Sequence, residues 1–276
     1  MARCEVCFRH CELSEGQTGF CGARVCRGEA VTSDNYGKLT AAALDPIEKK
    51  PLRRFLPGSR ILSVGSYGCN LRCPFCQNND ISWGERAFSG RKTYLSPEGL
   101  AEMAVSCKDK GNVGVAFTYN EPLIGWEYVR DTAKLVHEAG MVNVLVSNGT
   151  AELWVLEEIL PYIDAMNIDL KSFDRDVYRK TLGGDLDTVL HFIERASQSC
   201  HIELTTLIVP GMNDSEEEMR KISEWTASLR DDIPLHISRF FPQFHMTDRP
   251  PTDVSQIYGL AETARERLRF VYTGNC

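Results

Sequence analysis

From residue 60 onward the chain alternates short apolar runs with amphipathic stretches of helical period. Runs at 61–64, 113–117, 142–146, 165–168, 204–209 and 235–237 are too short for helices and apolar enough for buried strands. Between the first two, Leu100, Met103, Ala104 and Cys107 recur at i, i+3, i+4 and i+7. Ser96 precedes them as a helix cap, with Pro97 at the first helical position. Leu186, Val189, Leu190 and Ile193 repeat that spacing, and 123–139, 151–161, 215–229 and 253–268 complete the helical set. Strands alternating with helices over some 210 residues predict an α/β fold with a parallel sheet, open or curled into a barrel. Chemistry in such folds collects at the C-terminal ends of the strands.

Residues 1–30 break the pattern. They are rich in Cys, Gly, Arg and Glu with no apolar periodicity, so carbon side chains alone do not order them. Cys4, Cys7, Cys11 and Cys21 are spaced C-x2-C-x3-C-x9-C, four thiolates that either a Zn(Cys)4 knot or a second [4Fe–4S] cluster would fold. Cys26 is spare. Residues 30–60 read as a hairpin and a connector. The expected division is a small Cys-rich metal module with its connector at 1–58 and an α/β body at 59–276.

Eleven cysteines are many for a chain with no signal-peptide core and no apolar run long enough to cross a bilayer. The expected place is the cytoplasm, where clustered cysteines mean metal more often than disulfides. A net charge of −7 leaves no general basic face, which argues against a nucleic-acid partner unless Arg53, Arg54 and Arg60 form a local rim.

The densest chemistry follows the first strand of the body, in GSYGCNLRCPFCQN at 65–78. Cys69, Cys73 and Cys76 are spaced C-x3-C-x2-C. Three thiolates on one tight loop hold three irons of a [4Fe–4S] cube and leave the fourth without a protein ligand. Structural zinc would usually require a fourth Cys or His nearby, and this loop has none.

This loop, with Phe75 just before its last cysteine, resembles that of the radical S-adenosylmethionine (SAM) enzymes. The resemblance covers about residues 60–270 and implies a partial (β/α)6 TIM-like barrel. It also implies a radical SAM oxidoreductase that cleaves SAM reductively at the cluster to a 5′-deoxyadenosyl radical and abstracts hydrogen from a substrate. Tyr119, Asn120 and Glu121 then stand where that family holds the SAM ammonium. Ser147 and Asn148 are similar to an Asp-Thr-Asn-Gly motif, with Ser in place of the acid. Asp169 and Lys171 are similar to an Asp-Leu-Lys stretch and share one side of their strand by alternation. Thr205 precedes V-P-G-M-N-D at 209–214, on the strand that packs near the adenine, and His236 ends the sixth strand.

D-P-I-E-K-K-P-L at 45–52, F-L-P-G-S at 55–59 and T-Y-N-E-P at 118–122 narrow the resemblance to activating-enzyme-like chains, the AmmeMemoRadiSam radical SAM proteins. One departure stands out: F-L-P-G-S-R at 55–60 replaces the Asp-Gly-Pro-Gly-Ile-Arg-like segment of glycyl-radical activases. The branch implies a flavodoxin- or ferredoxin-type electron donor and a partner protein as substrate. Two rivals are a radical enzyme acting on a small molecule or RNA, and a non-catalytic iron–sulfur carrier or sensor.

Overall fold

The computed structural model describes residues 1–83 and 91–276. Its main sheet contains β1 (Ala41–Pro46), β2 (Arg60–Gly65), β3 (Asn112–Phe117), β4 (Val142–Ser147), β5 (Ala165–Asp169), β6 (His201–Ile208), β7 (Leu235–Arg239) and β8 (Val271–Gly274). From β2 to β8 each strand lies parallel beside the next in chain order. β1 borders β2 antiparallel. Helices α1 (Pro97–Ser106), α2 (Trp126–Glu138), α3 (Leu153–Ile159), α4 (Leu186–Ser197), α5 (Glu216–Leu229) and α6 (Val254–Arg265) fill the intervals. Ser96 caps α1 as expected, its hydroxyl accepting from the Gly99 amide. β1 and β8 do not pair, so among the described residues the barrel is open.

The six expected strands are present in order, and β8 adds a seventh parallel strand. The two faces of the sheet differ. Outward side chains such as Leu62, Val115, Leu145 and Ile168 join the helix stripes, including Leu100, Val129, Val189 and Phe192, in the main core. Inward side chains Ile61, Ala116, Val144 and Ala165 meet Ile47 and Leu52 of the connector. The stretch expected to link module and body instead turns into the barrel and closes its floor. Ile47 and Leu52 are fully buried, each contributing on the order of 2 kcal/mol. The sheet therefore begins at Ala41, inside the segment expected to precede the body.

At the N-terminus, Arg24–Arg27 and Ala30–Ser33 form a hairpin that begins ahead of the 30–60 stretch where one was expected, and Ala2–Arg3 pairs with Glu12–Leu13. This module rests on the barrel through a bridge between Cys7 and Ala151 and a bond from the Trp154 indole to the Glu5 carbonyl. No helix among the described residues is long and apolar enough to cross a membrane.

Candidate active site at the barrel mouth

The cysteine loop leaves β2 at its C-terminal end, where an α/β barrel gathers chemistry. At Gly68 the backbone turns left-handed (φ +90°), and a Cβ would lie 2.5 Å from the Cys21 carbonyl oxygen. Only glycine fits there. The next amide, of Cys69, donates to that same carbonyl at 3.1 Å. Further on, the Cys76 amide donates to the Cys73 carbonyl. Two N–H groups reach Cys69 Sγ, the Leu71 amide at 3.4 Å and the Asn148 side chain at 3.6 Å.

Burial pushes all three thiols up in pKa. Cys69 moves furthest, burial being reinforced by Glu121 and the neighbouring cysteines. Cys73 is pushed up to about 11 by burial, against the opposing charge of Lys171. Cys76 is raised by burial too, again opposed by Lys171. Free thiols so buried are poor nucleophiles, but coordination to a metal deprotonates them outright. Among the described residues no three His, Cys, Asp or Glu side chains are gathered to hold one metal ion. A cube seats its thiolates around a body rather than a point. The donors to Cys69 and the cation near Cys73 and Cys76 suit the negative charge of such a cluster.

Glu121 lies beside this loop and is almost fully buried. Pro122 opens a short helix, and Glu121 caps it by accepting from the Leu123 amide. The ordinary role of a helix-start acid is thus real. Yet the same carboxylate accepts from the Ser147 hydroxyl at 2.9 Å and the Asn148 amide at 2.8 Å. Burial lifts its pKa to about 7 against these three donors. Asn148 joins the two halves of the site: its backbone N–H serves Glu121, while its side chain serves Cys69 and Asn70.

Asp169 and Lys171 point the same way, as alternation requires, and form an ion pair at 2.8 Å. Lys171 lies within electrostatic reach of Cys73 and Cys76, and burial notwithstanding, Asp169 and Cys73 hold its ammonium well above the ordinary range. Asn120 ties down the loop's start, accepting from the Ser66 amide and donating to the Tyr67 and Gly68 carbonyls. Phe75 is buried in the main core, and its carbonyl accepts from Gln243.

The remaining expected residues face the lumen but are engaged there. The Thr205 hydroxyl donates to Asn167, whose amide donates to the Pro51 carbonyl. His236 contacts Glu203 at 2.6 Å and stacks on Tyr272. Tyr119 adopts φ +73°, and its hydroxyl donates to Asp45 rather than upward to the mouth. Arg53, Arg54 and Arg60 form no rim at the mouth. They lie at the opposite end, with Arg54 over the Phe270 ring and Arg60 on the Leu44 carbonyl.

Sequence reasoning passed over three groups. Glu203 is fully buried and accepts from the Arg53 and Arg54 amides, anchoring the floor. A charged residue inside an otherwise apolar strand was its signal. Lys50, also buried, pairs with Asp45 at 3.0 Å and lies over the Tyr119 ring. Asn70, between Cys69 and Arg72 in sequence, bonds both Asn148 and Thr150.

Comparison with known proteins identifies the family. The model of the radical SAM superfamily matches residues 63–222. An uncharacterised protein of Methanocaldococcus jannaschii is 38% identical over 279 residues, covering 99% of this chain and 81% of that one. The pyruvate formate-lyase-activating enzyme of Clostridium pasteurianum is 31% identical over 181 residues, covering 63% of this chain and 72% of its own. A domain of the pyruvate-formate lyase-activating enzyme from Bacteroides vulgatus shares the fold. It has a TM-score of 0.52 at 20% identity, over 59% of this chain and 99% of that one. The chain belongs to the radical SAM superfamily, in its pyruvate formate-lyase activase-like branch.

Proposed function

We propose that this protein is a radical SAM oxidoreductase whose substrate is a polypeptide. Membership of the superfamily implies an enzyme with an iron–sulfur cluster and SAM. The bound cluster and SAM would supply one-electron cleavage to a 5′-deoxyadenosyl radical, and the polypeptide would give up a hydrogen atom. Cys69, Cys73 and Cys76 would hold a [4Fe–4S] cluster, the Asn148 and Leu71 N–H groups damping the charge on Cys69. Glu121 has one oxygen shared by Leu123 and Ser147, while the other takes only Asn148 among the described residues. That second oxygen has room for a SAM ammonium. The ion-paired Lys171 and Asp169 would set charge at the rim.

The observation that carries this reading is Asn148, which links a cluster cysteine and a buried carboxylate through one residue. A polypeptide substrate is supported by the activating enzymes among the relatives. The test is anaerobic incubation of reconstituted protein with SAM, a flavodoxin- or ferredoxin-type donor and deuterated candidate partner proteins. Deuterium should enter 5′-deoxyadenosine, with a radical on the partner visible by EPR. Repeated turnover on a metabolite with no protein radical would sink the polypeptide reading. Absence of any 5′-deoxyadenosine would leave only a carrier.

A further inference from the structure

We infer that Cys4, Cys7, Cys11 and Cys21 ligate a second iron–sulfur cluster, of the [4Fe–4S] class, in a cavity they share with Arg24. Those four cysteines line one cavity in the N-terminal module, together with Arg9, Arg24 and Ile124. Cys26 is excluded: it is fully buried elsewhere in the hairpin and donates to the Gly28 carbonyl.

Arg24 supplies the independent sign of an anionic occupant. It is 5% exposed, and its terminal nitrogens are taken by Glu127, the Ile124 carbonyl and the Val31 carbonyl. Its Nε–H, however, is buried with no acceptor. Buried donors in native proteins nearly always find a partner, and a cluster sulfide or a ligating thiolate in this cavity would be one.

A cluster also suits the four cysteines better than a single ion. Zinc would draw its sulfurs to about 2.3 Å from one point. Zinc knots more often pair two C-x2-C knuckles, and this module has one, Cys4-x2-Cys7, its other two cysteines being set around the same cavity.

The two cysteine segments touch through their backbones. The Cys21 carbonyl accepts from the Cys69 amide, and Gly68 packs on that same oxygen. Arg9 donates to the carbonyls of Asn70 and Gly183 and lies within electrostatic reach of Cys7, Cys11 and Cys69. A cluster that fixes Cys21 thereby fixes the start of the radical cluster's loop.

The presence of this cluster does not depend on the radical reading, and its test does not use SAM cleavage. The full chain carrying Cys69→Ala, Cys73→Ala and Cys76→Ala is reconstituted anaerobically with iron and sulfide. About four irons and four sulfides per chain should remain, with an EPR signal after dithionite reduction. One zinc without sulfide, or no metal, overturns the assignment. If that variant does not fold, the wild-type holoenzyme is compared with the chain carrying Cys4→Ser, Cys7→Ser, Cys11→Ser and Cys21→Ser: about four fewer irons per chain are expected, and an equal iron count refutes it. For the contact, Cys4→Ser/Cys7→Ser should change the EPR line shape of the remaining cluster. An unchanged line shape would show that the module does not act on the loop.

Discussion

The mouth and the floor of this barrel are both built from buried polar groups, but they are finished differently. At the floor, the Glu203 carboxylate meets two backbone amides and two histidines, and Asp45 meets Lys50 and the Tyr119 hydroxyl. Every charge there has its partner within the chain. At the mouth, among the described residues, Cys69 Sγ takes only long N–H contacts from Leu71 and Asn148, and Glu121 keeps accepting capacity beside it. A satisfied network of buried charges rigidifies, whereas an incompletely satisfied one is a place for a ligand. Changes at the mouth should therefore remove chemistry and leave stability, and changes at the floor should do the reverse.

The largest effect is expected at the mouth. Any one of Cys69→Ala, Cys73→Ala or Cys76→Ala should abolish reductive SAM cleavage, because two thiolates no longer hold the cube with one iron left for SAM. The urea midpoint of the metal-free chain should barely move. Retained 5′-deoxyadenosine formation in Cys73→Ala would break the assignment of the mouth.

Glu203 is the reverse case. Burial alone would raise its pKa, but bonds from His201, His236 and the Arg53 and Arg54 amides bring it down to about 2 from 4.5. A folded value below the unfolded one stabilises above about pH 4.5, and that stability is lost as the pH falls from there towards 2. The shift corresponds to about 3 kcal/mol. Glu203→Gln should cost roughly that amount in urea unfolding at pH 7 and flatten the acid limb of stability, with cluster content intact. Loss of the cluster without loss of stability would merge floor and mouth.

Glu121→Ala should lie next in size. Losing a charged partner typically costs about 1.5–3 kcal/mol, or roughly ten- to a hundred-fold in SAM affinity, at unchanged iron content. An unaltered dissociation constant would reduce Glu121 to its helix cap.

The mouth was more legible in the sequence than the floor, for physical reasons. Cys69, Cys73 and Cys76 are local in sequence, so C-x3-C-x2-C declares itself. Strands buried on both faces read as continuous apolar runs, so β2 to β7 and the polar groups at their ends followed. β8, four residues at the sheet edge, offered too short a run. The floor is assembled from residues about 150 apart, such as Arg53 and Glu203, and its Pro-, Lys- and Arg-rich segment looks like a linker. No period marks a connector that folds inward. Reading β6 from Leu204 also left Glu203 outside the strand it anchors.

Tyr119 straddles the boundary, and the smallest effect is expected there. Its carbonyl accepts from Asn78 in the cluster loop, and its ring descends past Gly65 to place the hydroxyl on Asp45. The left-handed backbone at this non-glycine residue is the bend that allows both. Tyr119→Phe keeps the ring under Lys50 and deletes one hydrogen bond, so it should cost about 1 kcal/mol of stability. SAM affinity should stay within about twofold, because the hydroxyl serves the floor. A loss of SAM binding as large as that of Glu121→Ala, with stability unchanged, would assign the Tyr119 hydroxyl to the mouth.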